Sequence, residues 1–240
     1  MIVQACLNGA RPASYHPQLP LTTAAIVRDS RACIAAGAAE LHIHPRGADG
    51  RESLAAVDAL MRALRIACPG THVGVSTGAW IEGDAARTRR RISEWRVLPD
   101  YASVNLSEAD APAVIALLHD IGVGVEAGLA SVADARRLVT LPCCRRVFRI
   151  LIEIEEQEWE VAESVLEGIV AVLAGAGVSR PVLLHGFDAT VWQFVARARQ
   201  QRWSTRVGLE DGSALPQGET AASNADLVAG AVRLFRQPAP

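Results

Sequence analysis

The chain has 240 residues, 50% of them hydrophobic, with 24 basic against 26 acidic side chains and a formal net charge of -2. This is enough for a large core in a single domain spanning 1–240, and the absence of a basic stripe argues against nucleic acid as a partner. No apolar run approaches the ~18 residues a membrane span needs. The first residues lack a charged segment followed by an apolar one, so neither a membrane nor a secretion signal is expected. The five cysteines include no CxxC pair, which points to a reducing, cytoplasmic setting. Every basic residue is arginine. Arginine forms no Schiff base, so a lysine-imine aldolase is excluded, and any carbanion must be stabilised by a metal, a cofactor or hydrogen bonds.

Short β-rich apolar runs alternate along the chain with longer Ala- and Arg-rich stretches. Strands are expected at 2–7, 40–44, 72–76, 101–106, 124–126, 148–153, 182–185 and 205–209. Helices are expected at 24–36, 54–67, 111–120, 132–138, 158–174, 191–200 and 221–236. A more polar stretch at 84–95 keeps a helical pattern, and its Arg89, Arg90 and Arg91 read as a solvated face. Roughly eight even βα units predict an α/β fold with a parallel sheet, best satisfied by a single (β/α)8 TIM barrel of roughly 250 residues. A doubly wound open sheet is the rival, weakened because no GxGxxG follows the first strand. In a barrel the proline-bearing loop 8–23 and the loop 211–220 lie side by side over the mouth. The tail 237–240 is expected to fray.

Polar residues fall at the C-terminal ends of almost every expected strand, the edge where barrels bind substrates. They are Asn8, then His42, His44 and Arg46, then Ser76 and Thr77, then Asn105, Glu126, Glu153 and His185, and finally Arg206, Glu210 and Asp211. His42 and His44 are two apart on a strand and so share one face, a ready pair of metal ligands. Two satisfied histidines in a polar pocket is the plainer alternative. Period two along strand eight puts Arg206, Gly208 and Glu210 on one face, and barrel closure brings that strand next to strand one and near strand two. Glu210 can then join the His pair as two His and one carboxylate with an open position, a zinc arrangement that can also hold iron. Gly208 would leave room there for a ligand. For Glu210 and Asp211, helix capping is the plain alternative.

Ser76-Thr77-Gly78 suits binding of a carboxylate, or simple helix capping. Glu126 sits among small and apolar residues, so it should be buried and in need of a partner, either a metal-binding His or Arg206. His185 at the mouth can be a fourth ligand, a substrate contact or a capping donor. His16, His72 and His119 read as ordinary histidines in loops or near element ends, with His16 in the first lid loop.

Six segments together resemble the β-keto acid cleavage enzymes, whose named member is 3-keto-5-aminohexanoate cleavage enzyme. They are Leu7-Asn8-Gly9-Ala10-Arg11, the run from His16 to Thr22, the run from Ala36 to Arg46 with its HxHxR, Val75-Ser76-Thr77-Gly78, Arg206-Val207-Gly208-Leu209-Glu210-Asp211 and Ser223-Asn224-Ala225. The resemblance implies a zinc-bearing barrel in which His42, His44 and Glu210 hold the metal, Arg206 and Asp211 act in catalysis and Ser76 contacts substrate. It implies a β-keto acid and acetyl-CoA as substrates, acetoacetate and a new acyl-CoA as products, and a homo-oligomer, a tetramer in first place. Zinc would polarise the keto oxygen, Asp211 would take the α-proton and Arg206 would steady the charge that develops.

The chain departs from the family at Gly47, where relatives often have Asp, and at Thr22-Thr23-Ala24-Ala25, where they often have Thr-Pro-Glu-Glu. Arg11 falls near the position of an acidic residue that reads an amino group in one characterised relative, and it suits a substrate with a distal anion or polar group. Two further readings stay open: a CoA-independent metal-dependent aldolase or C–C hydrolase, and a non-catalytic barrel that binds a small acid or a protein.

Overall fold

The computed structural model of the chain describes residues 1–236, so the expectation for the tail lies outside the described residues. Eight parallel strands close into a barrel in sequence order: β1 Val3–Cys6, β2 Glu40–Ile43, β3 His72–Ser76, β4 Tyr101–Asn105, β5 Gly124–Leu129, β6 Arg149–Ile154, β7 Val182–Gly186 and β8 Ser204–Val207. The helices around them are α1 Thr23–Ala35, α2 Val57–Ala67, α3 Ala79–Glu82, α4 Ala85–Ser93, α5 Ala111–Asp120, α6 Val132–Thr140, α7 Trp159–Gly175, α8 Val191–Gln200 and α9 Asn224–Arg236. This is the TIM barrel that the alternating pattern predicts.

Local chemistry sets the helix ends. Thr22, Asp84 and Ser131 each accept a backbone N–H in the first turn of α1, α4 and α6, satisfying a donor that a helix start leaves unpaired. The structure differs from the sequence reading in details. The segment 54–67 opens with a 3-10 turn, Leu54–Ala56, before α2, and the one-turn helix α3 was not expected. On α4, Arg89 reaches Asp110 and Arg91 reaches Glu94 on the exposed side. Among the described residues no helix is long and apolar enough to cross a membrane.

The outward faces of the strands bury Ala5, Leu41, Val75, Val125 and Ile152 against the helices, as a parallel sheet covered on its outside requires. The inward faces are unusually polar. Near the N-terminal end of the barrel, Arg149 on β6 donates to both Glu126 on β5 and Glu40 on β2. Gln4 Nε2 donates to Tyr101 Oη at 2.8 Å, and Tyr101 Oη donates to the Leu41 carbonyl at 2.9 Å. The Arg149 guanidinium lies over the Tyr101 ring, 4.7 Å from its centroid. This charged floor closes the barrel beneath the site.

Candidate metal and active site

His42 is an inward residue of β2, above Glu40, and His44 follows the strand by one residue. Past β8, Gly208 and Leu209 bring Glu210 back over the mouth. Glu210 Oε1 lies 3.4 Å from His44 Nε2 and 3.9 Å from His42 Nε2. One ligand atom from each of the three side chains falls within 4.8 Å of the others. His42 Nδ1 and Glu210 Oε2 are buried with no hydrogen-bond partner, atoms that stay unsatisfied unless something binds there. Two imidazoles and one carboxylate with an open side fit a divalent metal ion. Burial holds the His42 imidazole down to about 4, so it is neutral and free to ligate. Burial also opposes charge on His44, but Glu210 outweighs it, with hydrogen bonds from Glu210 and Glu52 adding, and lifts it to about 9. Burial would raise Glu210; Arg206, then His44 and His42, hold it well below the usual carboxylate range.

Of the residues that orient this triad, Asn8 and Arg46 were marked at strand ends in the sequence, whereas Glu52 and Trp80 were not. Glu52, in the loop after β2, takes the Nδ1 side of His44, while its other oxygen accepts from Trp80 Nε1 at 3.0 Å. The carboxylate thereby fixes the ring and leaves Nε2 for the metal. Asn8 clasps the backbone of His44, accepting its N–H at 2.9 Å and donating to its carbonyl at 3.0 Å. Asn224 accepts the Leu209 N–H at 2.6 Å and donates to the Leu7 carbonyl at 2.8 Å, holding the turn that carries Glu210 against β1. Gly9 has φ +52, and a Cβ there would strike the Glu210 side chain; only glycine takes that conformation at that distance without cost. Arg46 donates to the Gly9 carbonyl and ties the first loop to the second. Glu52→Ala is expected to weaken metal affinity about 10–100-fold, read by competition with a chelator of known affinity.

Arg206 is buried and donates from Nη2 to Glu210 Oε1 at 2.7 Å and Asp211 Oδ1 at 2.8 Å. Asp211 is fully buried behind it. Its Oδ2 accepts from the Cys6 thiol at 2.6 Å, and its Oδ1 lies 3.4 Å from His185 Nδ1. Burial, with the Glu210 charge, raises the Asp211 carboxyl, and Arg206 opposes this. Burial also keeps His185 well below its ordinary value and therefore neutral. The Cys6 contact was not foreseen: a cysteine inside an apolar strand reads as core.

A cavity of about 370 Å³ opens over these groups, within the range of small-ligand sites. Of the expected substrate contacts, Ser76, Asn105 and Arg11 line it, together with His42, His44, Arg206, Glu210 and Glu153. Thr77 does not, because its hydroxyl donates to the Ser103 carbonyl at 2.7 Å. His185 lies beneath the wall, with Nε2 3.9 Å from Glu153 Oε2, and is outside the metal cluster. Glu126 is also outside the cavity, engaged by Arg149 and by neither Arg206 nor a metal-binding His. Arg11 is pinned: it donates to Asp188 Oδ1 at 3.1 Å and to the Glu210 carbonyl at 3.0 Å, and it stacks over Tyr15. Gly208 makes room for the neighbouring strand and not for a ligand, since a Cβ there would collide with the Cys6 carbonyl. His16 is buried, its Nε2 3.0 Å from the Ala221 carbonyl, and braces the first loop.

Among solved structures, ObcA in its apo form superposes with a TM-score of 0.73 at 17% identity, covering 90% of this chain and 61% of that one. A ternary complex of ObcA with a C4-CoA adduct and oxalate gives 0.72 at 18% identity, covering 90% and 63%. The chain thus spans about three fifths of the length of ObcA. A type I 3-dehydroquinate dehydratase from Clostridium difficile gives 0.65 at 13% identity, covering 96% and 92%. At such identities these matches show the barrel fold. The model of the beta-keto acid cleavage enzymes matches residues 1–141 and 160–238. The chain belongs to the beta-keto acid cleavage enzyme family.

Proposed function

We propose that this protein is a zinc-dependent enzyme that joins a β-keto acid to acetyl-CoA and releases acetoacetate and a new acyl-CoA. The carbon bearing the substrate's carboxylate bonds to the acetyl carbon while the acetyl–sulfur bond breaks and frees CoA thiolate; the thiolate then attacks the original keto carbon, whose bond to the carboxylate-bearing carbon breaks, so that acetoacetate leaves and the acyl group stays on CoA. The observation that carries the reading is the open His42, His44 and Glu210 triad facing a cavity that Arg206 also lines. A bound divalent ion supplies Lewis-acid polarisation of a carbonyl oxygen. Ser76, 3% exposed and on the cavity wall, binds the substrate carboxylate in this reading. Arg206 offsets negative charge as it develops on the substrate. Asp211, made more basic by burial and held against the cavity-lining Arg206, takes the α-proton and later returns it.

ObcA, similar in fold, has been seen with oxaloacetate and with a C4-CoA adduct and oxalate, which supports a keto acid and a CoA thioester as ligands here. Assembly as a homo-oligomer, a tetramer in first place, is part of the same reading and is checked by sedimentation. The deciding experiment measures the metal content of the purified protein and then incubates it with acetyl-CoA and a panel of β-keto acids. About one zinc per chain and acetoacetate formed only with acetyl-CoA is the expected result. Turnover of the keto acid without acetyl-CoA would replace acyl transfer with a metal-dependent aldolase or hydrolase. A protein that holds no metal would remove the reading altogether.

A further inference from the structure

The turn that carries Glu210 is held from outside the barrel. α9 packs against β1 and β8, and α1 packs against α9. Asn224, the first residue of α9, is fully buried. Its Oδ1 accepts the Leu209 N–H at 2.6 Å, one residue before Glu210. Its Nδ2 donates in two directions, to the Leu7 carbonyl at 2.8 Å and to Asp29 Oδ2 on α1 at 2.6 Å. With both amide hydrogens engaged, the carboxamide has one orientation. Turned over, it would set its NH2 group against the Leu209 N–H and its oxygen against two acceptors. The amide comes this close because residue 208 is glycine: a Cβ there would stand 2.9 Å from Asn224 Oδ1.

Asp29 is the charged member of this chain of contacts. Burial lifts its carboxyl to about 6, against the Asn224 bond and then Arg28. It is therefore mainly ionised at pH 7, a state that only accepts hydrogen bonds. It lines a surface groove with Pro20 and Ser223 and has no part in the cavity over the metal triad. At the other end of the chain of contacts there is little slack. Glu210 Oε1 stands 3.4 Å from His44 Nε2 and 3.9 Å from His42 Nε2. A Cβ at Gly9 would lie 2.5 Å from Glu210 Cγ. A small shift of the turn therefore changes the ligand geometry, which a divalent ion reads as lost affinity.

We propose that Asp29 is a positioning residue for the metal site: from outside the barrel it orients Asn224, which fixes the Leu209–Glu210 turn and so sets Glu210 beside His42 and His44. Asp29 touches neither the triad nor the cavity. The proposal rests on the metal-site part of the proposed function and is independent of the substrate.

The test measures zinc affinity by chelator competition for the full chain and for Asp29→Leu, Asp29→Asn, Asn224→Ala and the double variant Asp29→Leu with Asn224→Ala. Asp29→Leu is expected to lose about tenfold, the low end for an outer partner of a metal ligand. Asp29→Asn keeps an acceptor, though an uncharged one, and should recover most of that loss. In the Asn224→Ala background, Asp29→Leu should add nothing further, because both act along one path. The visible absorption of the cobalt-loaded protein should change in Asp29→Leu and return towards wild type in Asp29→Asn. Asp29→Ala, which removes the acceptor without adding bulk, gives the same readings if the leucine variant does not fold. A merely structural Asp29 would lower the urea midpoint of the metal-free protein and leave zinc affinity and the cobalt spectrum alone, which overturns the proposal. A loss that Asp29→Asn does not relieve, or losses that add in the double variant, would also overturn it. In each of these failures the wild-type protein still binds zinc. A wild-type protein that binds none overturns the proposed function together with this role of Asp29.

Discussion

Asp211→Asn is expected to lower kcat by about 10²–10⁴-fold, the range for removing a positioned general base, equal to about 3–5 kcal/mol of barrier. Metal content should stay at its wild-type level, because Asp211 is outside the cluster of His42, His44 and Glu210. The carboxylate is fully buried and contacts Arg206, Cys6 and His185. Asparagine fits the same volume, keeps an acceptor for Arg206 or Cys6 and loses the ability to take a proton. The variant therefore separates two roles that the geometry combines. Loss of the base gives the full loss. If Asp211 serves only to hold Arg206 against the cavity, the loss is under tenfold, because Glu210 Oε1 still accepts from the same Nη2 at 2.7 Å. Full turnover in a metal-loaded variant would rule out both roles. Metal analysis and kcat on the same sample decide among the three.

The legibility of the site in the sequence follows chain geometry. The strands were readable because a parallel barrel covered by helices needs outward apolar residues on each strand. The triad was readable because two of its members lie two apart on one strand and the third lies at the end of a strand that barrel closure brings close. What escaped notice is whatever depends on a loop's path. Nothing in Arg51-Glu52-Ser53 announces that Glu52 folds back onto His44. The bracing role of Asn224 likewise exists only once α9 packs near β1 and β8. Glu126 was misplaced for a different reason. The strand was expected only over 124–126, which put Glu126 at its end. The strand runs on to Leu129, so Glu126 lies three residues below the mouth, opposite Arg149 in register. The same lengthening puts Gly128 on the cavity wall, where its missing side chain makes space under Glu153.

Arg149→Met is expected to cost about 3–5 kcal/mol of folding stability, the usual penalty for breaking a buried ion pair from one side, and to lower Tm by roughly 10 °C for a chain of this size. Arg149 is 5% exposed, and its guanidinium meets Glu126, which is 0% exposed, and Glu40. Methionine keeps most of the apolar stem, so the packing loss is small. What remains is two carboxylates facing each other at the closed end of the barrel with no counter-charge, and that desolvation dominates. Adding Glu126→Gln should recover part of the loss, because one of the two stranded charges is then gone. The double-variant cycle measures the coupling between Glu126 and Arg149 directly. The same cycle also tests where Glu126 belongs. If it is part of the floor, Glu126→Gln alone lowers the denaturation midpoint and leaves KM for the keto acid alone. If it reaches substrate, KM rises instead. Urea unfolding and steady-state kinetics on the three variants distinguish these outcomes, and a stable Arg149→Met protein would show that the barrel floor tolerates unpaired charge, contrary to its burial.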